Sequence, residues 1–262
     1  MTVRYGLEGR TVLITGAAGG IGQALARAFL AQGARLLLLD REAAPLDALV
    51  ESLRSHQVHS AVCDLGSDAA VATVAAQVAD RFGRLDVLVH NAGTEYPTPV
   101  DDGADDANAR WAALLDNNVS GMWRLTRALL PLLPRGASVI HQSSIWGRIG
   151  VAGFSAYAAS KHAVTGMTKN AALEYGRDGI LTNAIAPGAI LTPMVAEAFK
   201  QVNPADPKAV ESEYAQRNPT KRLGKPEEVA KLVAFLLSED NGYVSGQTIA
   251  IDGGESNIYG NS

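Results

Sequence analysis

Tyr157 and Lys161 stand four residues apart in Ser155-Ala156-Tyr157-Ala158-Ala159-Ser160-Lys161, an alanine-rich apolar segment that reads as helix. That spacing stacks the two side chains on one helical face. An ammonium beside a phenol stabilises the phenolate and pulls a pKa of about 10 towards the range where general acid-base chemistry works. A core aromatic beside a solvated cation would have the same spacing, so the meaning of the pair depends on what the chain places around it.

Thr11 to Ile14 is a short apolar run that stops at Thr15-Gly16-Ala17-Ala18-Gly19-Gly20-Ile21-Gly22, after which Ile21, Leu25, Ala28 and Phe29 recur at helical spacing. This predicts strand, tight turn, helix. Glycines let the backbone approach a bulky anion, and the helix N-terminus offers free N–H groups. An ordinary strand-to-helix connection has the same composition. The apolar run Leu36 to Leu39 ends in Asp40, 18 residues beyond Gly22. That is close to the offset at which an acid accepts hydrogen bonds from an adenosine ribose. Such an acid repels a 2'-phosphate, and no Lys or Arg lies in the glycine turn, which favours NAD over NADP; Arg41 reads as solvated.

Helical and strand patterns then alternate: helix 46–53, strand 58–63, helix 70–82, strand 85–90, a long helix over 111–133, strand 138–142, the helix carrying Tyr157 and Lys161, strand 180–185, helix 229–237 and strand 248–251. This rhythm predicts an α/β protein, a doubly wound, Rossmann-like, parallel seven-stranded sheet with helices on both faces, in a single domain over 1–262. Asp64, Asn91-Ala92-Gly93, Ser144 and Pro187-Gly188 fall at strand C-terminal ends, the edge where such sheets bind ligands. Asp64 suits an adenine amino group or a plain turn. Segment 192–218, with Pro193, Pro204 and Pro207, has weak periodicity and reads as short helices in a mobile lid.

With 27 acidic and 23 basic residues and a net charge of −4, the chain has no cationic excess for a nucleic-acid backbone. The single Cys63 rules out an intrachain disulfide and fits a reducing compartment. The start of the chain lacks a secretory h-region, and no apolar run approaches the ~20 residues of a bilayer span. The expectation is a cytoplasmic protein with no membrane partner. The five histidines, His56, His59, His90, His141 and His162, lack ligand spacing, so no metal is expected.

In order and spacing, the glycine turn, Asn91-Ala92-Gly93, Asn118, Ser144, Tyr157 with Lys161, Asn183, Pro187-Gly188 and Thr192 together resemble the short-chain dehydrogenase/reductase family over essentially the whole chain. The resemblance implies a catalytic set of Asn118, Ser144, Tyr157 and Lys161. Tyr157 would exchange the proton of a secondary alcohol, Ser144 would hydrogen-bond the substrate oxygen, Lys161 would lower the phenol's pKa and hold the nicotinamide ribose, and Asn118 would hold a water linking Lys161 to solvent. It implies NAD as cofactor, bound by Gly16, Gly20, Ile21, Gly22, Asp40, Arg41, Asp64, Leu65, Asn91, Ala92, Gly93, Pro187, Gly188, Ile190 and Thr192 with Tyr157 and Lys161. It also implies a homotetramer. Hydride would pass directly between nicotinamide and carbinol carbon.

Substrate contacts are expected from Glu95, Ser144, Trp146, Phe154 and Tyr157. Aromatic residues on one side and an acid on another suggest a small neutral secondary alcohol or ketone, cyclic or aromatic; Glu95 could equally be a surface carboxylate. A 3-oxoacyl carrier-protein reductase, a steroid or polyol dehydrogenase and a non-catalytic nucleotide-sensing protein remain as alternatives. The tail from Glu255 onward is a candidate to reach a neighbouring subunit's cleft.

Overall fold

The computed structural model describes residues 5–257. Seven strands, β1 (Thr11–Thr15), β2 (Arg35–Asp40), β3 (Val58–Val62), β4 (Val87–His90), β5 (Ser138–Gln142), β6 (Leu181–Pro187) and β7 (Thr248–Ile251), form one sheet in the order β3-β2-β1-β4-β5-β6-β7. Every pairing is parallel. The helices are α1 (Gly20–Leu30), α2 (Ala43–Leu53), α3 (Asp68–Phe82), α4 (Ala107–Leu115), α5 (Gly121–Leu129), α6 (Ser155–Gly176), α7 (Pro193–Val202), α8 (Pro207–Gln216) and α9 (Pro226–Leu237).

Alternation along the strands divides the core in two. Val12, Ile14, Leu36 and Leu38 face α1, α2 and α9, where they meet Leu25, Phe29, Leu46 and Val233. Leu13, Leu37 and Leu39 point the other way, onto Val71, Val74 and Val78 of α3 and Leu125 and Leu129 of α5. Both faces are covered, so the strands read as continuous apolar runs. Chain order reverses between β1 and β4, and the crevice at their C-terminal ends is where doubly wound sheets take ligands.

Two local expectations change, and the short helices expected over 192–218 gain their bounds. The helix expected over 111–133 is not uniform: α4 and α5 are joined by a π-helical turn, Asp116–Ser120, and a short 3-10 turn follows at Leu130–Leu132. The fourth strand pairs only from Val87. Before it, the buried Asp86 carboxylate accepts from Thr11 N–H at 2.8 Å and pairs with Arg84 at 3.1 Å. In the 192–218 segment, the prolines that blur the periodicity start helices. Pro193 and Pro207 open α7 and α8 behind the caps Thr192 and Asp206, whose side chains accept from Val195 N–H at 3.3 Å and Ala209 N–H at 3.0 Å. Proline suits a first turn, where its missing N–H costs nothing. Phe199, Val210 and Leu223 give this segment its own small core. Among the described residues no helix is long and apolar enough to cross a membrane.

Candidate active site

The glycine turn leaves β1 with Gly16 at φ +60°, a left-handed conformation that L side chains rarely adopt. A Cβ there would also lie 2.7 Å from the Ala92 Cα, and one on Gly22 would lie 2.3 Å from the Gly16 carbonyl oxygen. The turn therefore folds back on itself and against the exit of β4 more tightly than any other residue type allows. Asn91 secures it: its Nδ2 donates to the Thr15 and Gly16 carbonyls at 3.1 and 2.8 Å, while Asn91 N–H and Ala92 N–H both donate to Thr15 Oγ1. Helix α1 starts at Gly20 with no side-chain cap on its first N–H groups. These orphan donors and the positive end of the helix dipole face the cleft, an arrangement suited to a pyrophosphate.

Asp40 closes β2 beside this turn. Its Oδ2 accepts from Ala18 N–H at 3.0 Å and its Oδ1 from Glu42 N–H at 3.3 Å. The Arg41 side chain is 60% exposed, with its Nε 3.7 Å from Glu42, which agrees with its reading as a solvated residue. The Asp64 carboxylate makes a turn with Gly66 N–H at 2.8 Å while also lining the cleft.

One cleft of about 960 Å³ runs along the C-terminal edge of the sheet. It brings together the expected cofactor and substrate residues from Gly16 to Thr192, except Gly22, Asn118 and Lys161, which are absent from its lining. Gly22 shapes the turn from within, as above. Lys161 is buried against the cleft wall; its Nζ donates to the Gln142 carbonyl at 2.8 Å and lies 5.4 Å from the Tyr157 ring centre. Gly93 passes close by, since a Cβ there would come within 3.3 Å of Lys161 Nζ.

Ser144 stands at the exit of β5 in extended conformation, its Oγ accepting from Trp146 N–H at 3.2 Å. Ser144 also draws the Tyr157 phenol's pKa down, and the two residues line the same cleft. Trp146 meets the Tyr157 ring edge-on, with centroids 5.8 Å apart at 88°, and packs on Phe154 at 5.2 Å. These three rings form an aromatic wall beside the hydroxyls. Glu95 opens on the same cleft, held between Thr94, which Asn118 grips, and Tyr96, whose hydroxyl donates to the Arg110 carbonyl at 2.7 Å.

The Asn118 side chain is bonded to protein groups throughout. Its Oδ1 accepts from Thr94 N–H at 2.8 Å and Asn117 Nδ2 at 2.9 Å, and its Nδ2 donates to the Thr94 carbonyl at 2.9 Å and Ser160 Oγ at 3.1 Å. An amide offers two donors and two lone pairs, and all four are used. The side chain is thus satisfied by protein groups and fixes Thr94 against α6. A buried asparagine in a helical stretch is stable here because the π turn aims it at these partners.

The electrostatics also differ from expectation. The phenol of Tyr157 is pushed above its ordinary pKa, chiefly by burial and then by the charge of Glu95, with the Ser144 hydrogen bond acting the other way. Lys161 is lowered to about 8 by burial, with Glu95 opposing. Desolvation penalises phenolate and ammonium alike, and it is the largest influence on both groups. Glu95 itself is raised by burial and lowered by Lys161.

Three features of the cleft were not legible as site residues. Gln142 offers its carbonyl to Lys161 while its own Oε1 is buried without a partner. From α8 and the lid's end, Tyr214 and Arg217 line the far side, the guanidinium 4.3 Å above the ring. Glu255, on a short 3-10 turn after β7, lines the cleft of its own chain; the rest of the tail, 258–262, lies outside the described residues. Among those residues no group of three or more His, Cys, Asp or Glu is placed to hold a metal ion.

A family profile described as enoyl-(acyl carrier protein) reductase matches residues 16–256. Levodione reductase of Leifsonia aquatica is 39% identical over 259 residues, covering 95% of each chain. The 3-oxoacyl-(acyl-carrier-protein) reductase of Thermotoga maritima is 38% identical over 253 residues, covering 95% of this chain and 98% of that protein. Among solved structures, levodione reductase superposes with a TM-score of 0.88 at 37% identity, covering 97% of this chain and 100% of the other. L-sorbose reductase from Gluconobacter frateurii, complexed with NADPH and L-sorbose, gives 0.90 at 31% identity, covering 98% and 100%. With the glycine turn, the capless helix and the Ser144–Tyr157–Lys161 constellation in place, the chain belongs to the short-chain dehydrogenase/reductase family, oxidoreductases that use a nicotinamide cofactor.

Proposed function

We propose that the protein is an NAD(H)-dependent oxidoreductase of a small, neutral secondary alcohol or ketone, cyclic or aromatic, with Tyr157 as the acid-base. The observation that carries this reading is the placement of Ser144 and Tyr157 on one cleft beside the wall of Trp146 and Phe154. A flat apolar ring fits that wall while its oxygen meets the two hydroxyls. Ser144 then hydrogen-bonds the oxygen as its charge changes, an interaction strongest in the transition state. Tyr157 takes or returns the proton. Hydride donor and acceptor chemistry comes from the nicotinamide when the dinucleotide is bound. The free N–H groups of α1 suit its pyrophosphate, Asp40 its adenosine ribose, Lys161 its nicotinamide ribose, and Ile190 and Thr192 its nicotinamide end.

The reading is tested by a spectrophotometric panel of neutral alcohols and ketones, with NAD(H) and NADP(H) side by side. Efficient reduction of acyl-carrier substrates alongside indifference to cyclic ketones would sink it. A hydroxyl-rich substrate is the second reading, supported by the carboxylates of Glu95 and Glu255 on the cleft and by the likeness to L-sorbose reductase; polyols belong in the same panel.

The choice of NAD rests on Asp40. Replacing it with Ala removes the charge that would repel a 2'-phosphate and the acceptor for a ribose hydroxyl. A charge-assisted hydrogen bond is worth about 1.5–3 kcal/mol, so the ratio of kcat/KM for NAD over NADP is expected to fall by roughly ten- to a hundredfold. An unchanged ratio would remove Asp40 from cofactor selection.

A homotetramer and a cytoplasmic location complete the proposal. Trp111 on α4, Trp123 on α5 and Leu173 on α6 expose large apolar surfaces that self-association would cover. Sedimentation of the purified chain distinguishes tetramer from monomer.

A further inference from the structure

Glu255 holds a carboxylate oxygen on the cleft where the protein gives it no partner. The 3-10 turn that carries it is pinned to the end of β7: Glu255 N–H donates to the Asp252 carbonyl at 3.2 Å, and the Asp252 carboxylate accepts from Gly254 N–H at 3.0 Å and Ser256 N–H at 2.8 Å. From the end of the lid, Asn218 Nδ2 donates to the same Asp252 carbonyl at 2.9 Å. Glu255 Oε2 is buried and, among the described residues, bonded to none. It lies against Gly188, where a Cβ would come within 3.0 Å of it and 2.8 Å of the Asp252 Cβ. The glycine at the exit of β6 is thus what lets the acid lie there.

The charges nearby are already committed. Arg217 lines the same cleft but is paired with Glu213 at 3.0 Å, and Asp252 spends its oxygens on its own turn. Burial raises the Glu255 carboxyl, the Ala189 N–H lowers it, and the charges of Asp252 and Arg217 act in opposite directions. With a cation on the same wall, an uncharged donor is enough to satisfy the buried oxygen. Its place relative to the reacting groups follows from the sheet. Ser143 N–H donates to the Ile185 carbonyl at 2.8 Å and Gly188 N–H to the Ile251 carbonyl at 3.1 Å, so Ser144 leaves β5 on one side of β6 and Glu255 follows β7 on the other. Two strand spacings are about 10 Å. One small ring with a hydrogen bond of about 2.8 Å at each end covers that separation.

We propose that Glu255 is a specificity-determining residue whose Oε2 accepts a hydrogen bond from a second hydroxyl of the substrate, across the ring from the oxygen that meets Ser144 and Tyr157. The proposal rests on the reading of this cleft as a ketone site, and it narrows the substrate from a neutral cyclic ketone to a cyclic hydroxyketone and the diol formed from it. A ring without the second hydroxyl leaves the acid buried and unpartnered, which is how a site built to hold a hydroxyl rejects the analogue that lacks it.

The test compares cyclohexanone with 4-hydroxycyclohexanone, each with NADH, in the full-length wild type, Glu255→Gln and Glu255→Ala. The wild type is expected to prefer the hydroxyketone in kcat/KM by about ten- to a hundredfold, the worth of a hydrogen bond to a charged group. Glu255→Ala should erase most of that preference, and Glu255→Gln, which keeps an oxygen acceptor without the charge, should fall between. A wild type with no preference, or the same ratio in all three proteins, would overturn the proposal. So would weaker NADH binding with the ratio unchanged, which would put Glu255 on the cofactor. Reduction of neither ketone would instead sink the ketone reading. Calorimetric titration of 4-hydroxycyclohexanone into the NADH complexes of wild type and Glu255→Ala then decides on Glu255: binding weaker by about tenfold or more in the variant supports it, and equal affinities overturn it.

Discussion

Tyr157→Phe is expected to lower kcat about a thousandfold, within the range attributed to a positioned acid-base, while leaving NADH binding within about twofold. The substitution removes one oxygen and keeps the ring. Trp146 still packs edge-on against it, and Lys161 keeps its bond to the Gln142 carbonyl, so the wall and the lysine stay where they are. What disappears is the proton that must travel with the hydride. Ser144→Ala should cost less, about a hundredfold, the order found for the loss of one donor to a developing oxyanion. The double variant should fall little below Tyr157→Phe, because the two hydroxyls act on the same oxygen and their effects do not add. Steady-state kinetics and NADH fluorescence titration check all three. A Tyr157→Phe enzyme running at the wild-type rate would make the nucleotide-sensing alternative, or a different acid, the better account.

The sequence showed this machinery because its parts are local. A four-residue spacing on a helix, a glycine cluster after an apolar strand and an acid at the end of the next strand are short patterns with direct geometric meaning, and the sheet edge that gathers them follows from strand-helix alternation. What escaped depends on contacts between distant segments. Nothing in Asn117-Asn118 announces a π turn; in a helical window they look like defects, and only the partners at Thr94 and Ser160 make sense of Asn118. Short helices were legible over 192–218, but not their bounds, because the prolines that begin two ten-residue helices also weakened the periodicity. Helical spacing placed Lys161 beside Tyr157 but could not say how deeply both are buried, and depth decides the sign of the phenol's shift. Glu255 lies 98 residues from Tyr157 in the chain and reaches the same cleft only because β7 lies beside β6.

The same contrast governs His90 and His141, set aside in the sequence for lack of ligand spacing. They are cross-strand neighbours on β4 and β5, fully shielded, with ring centroids 5.3 Å apart. Their tautomers follow from two threonines. Thr126 Oγ1 donates to the Met122 carbonyl at 3.0 Å and Thr168 Oγ1 to the Val164 carbonyl at 2.8 Å. With its one proton spent on the helix, each hydroxyl can only accept from its histidine, so His90 carries its hydrogen on Nε2 and His141 on Nδ1. His90 Nδ1 and His141 Nε2 are left as buried lone pairs without partners. A proton on either adds an N–H with no acceptor and a charge in a dry core beside a second ring.

Both histidines accordingly sit below the ordinary 6.5, His90 by burial and then His141's charge, and His141, by burial, at about 4. The unfolded chain takes up these protons near 6.5 and the folded chain only at much lower pH, so the folded state binds fewer protons in between. The stability tied to neutral histidines is complete above 6.5 and is lost as pH falls towards 4. At 1.36 kcal/mol per unit, His141 alone accounts for about 3 kcal/mol, a large part of a typical domain's stability, and His90 adds to it. Urea unfolding at a series of pH values should show the wild type losing stability through this window with a slope approaching two protons, and the His90→Asn/His141→Asn protein losing most of that slope whatever its absolute stability. A wild type that is flat between 6.5 and 4, or a double variant with the wild-type slope, would contradict the argument. Activity should fail over the same range, because His141 precedes the Gln142 carbonyl that holds Lys161, and Thr168 lies two turns along the helix that carries both Tyr157 and Lys161. The histidines that sequence spacing excluded as ligands would thereby set the acid limit of the site above them.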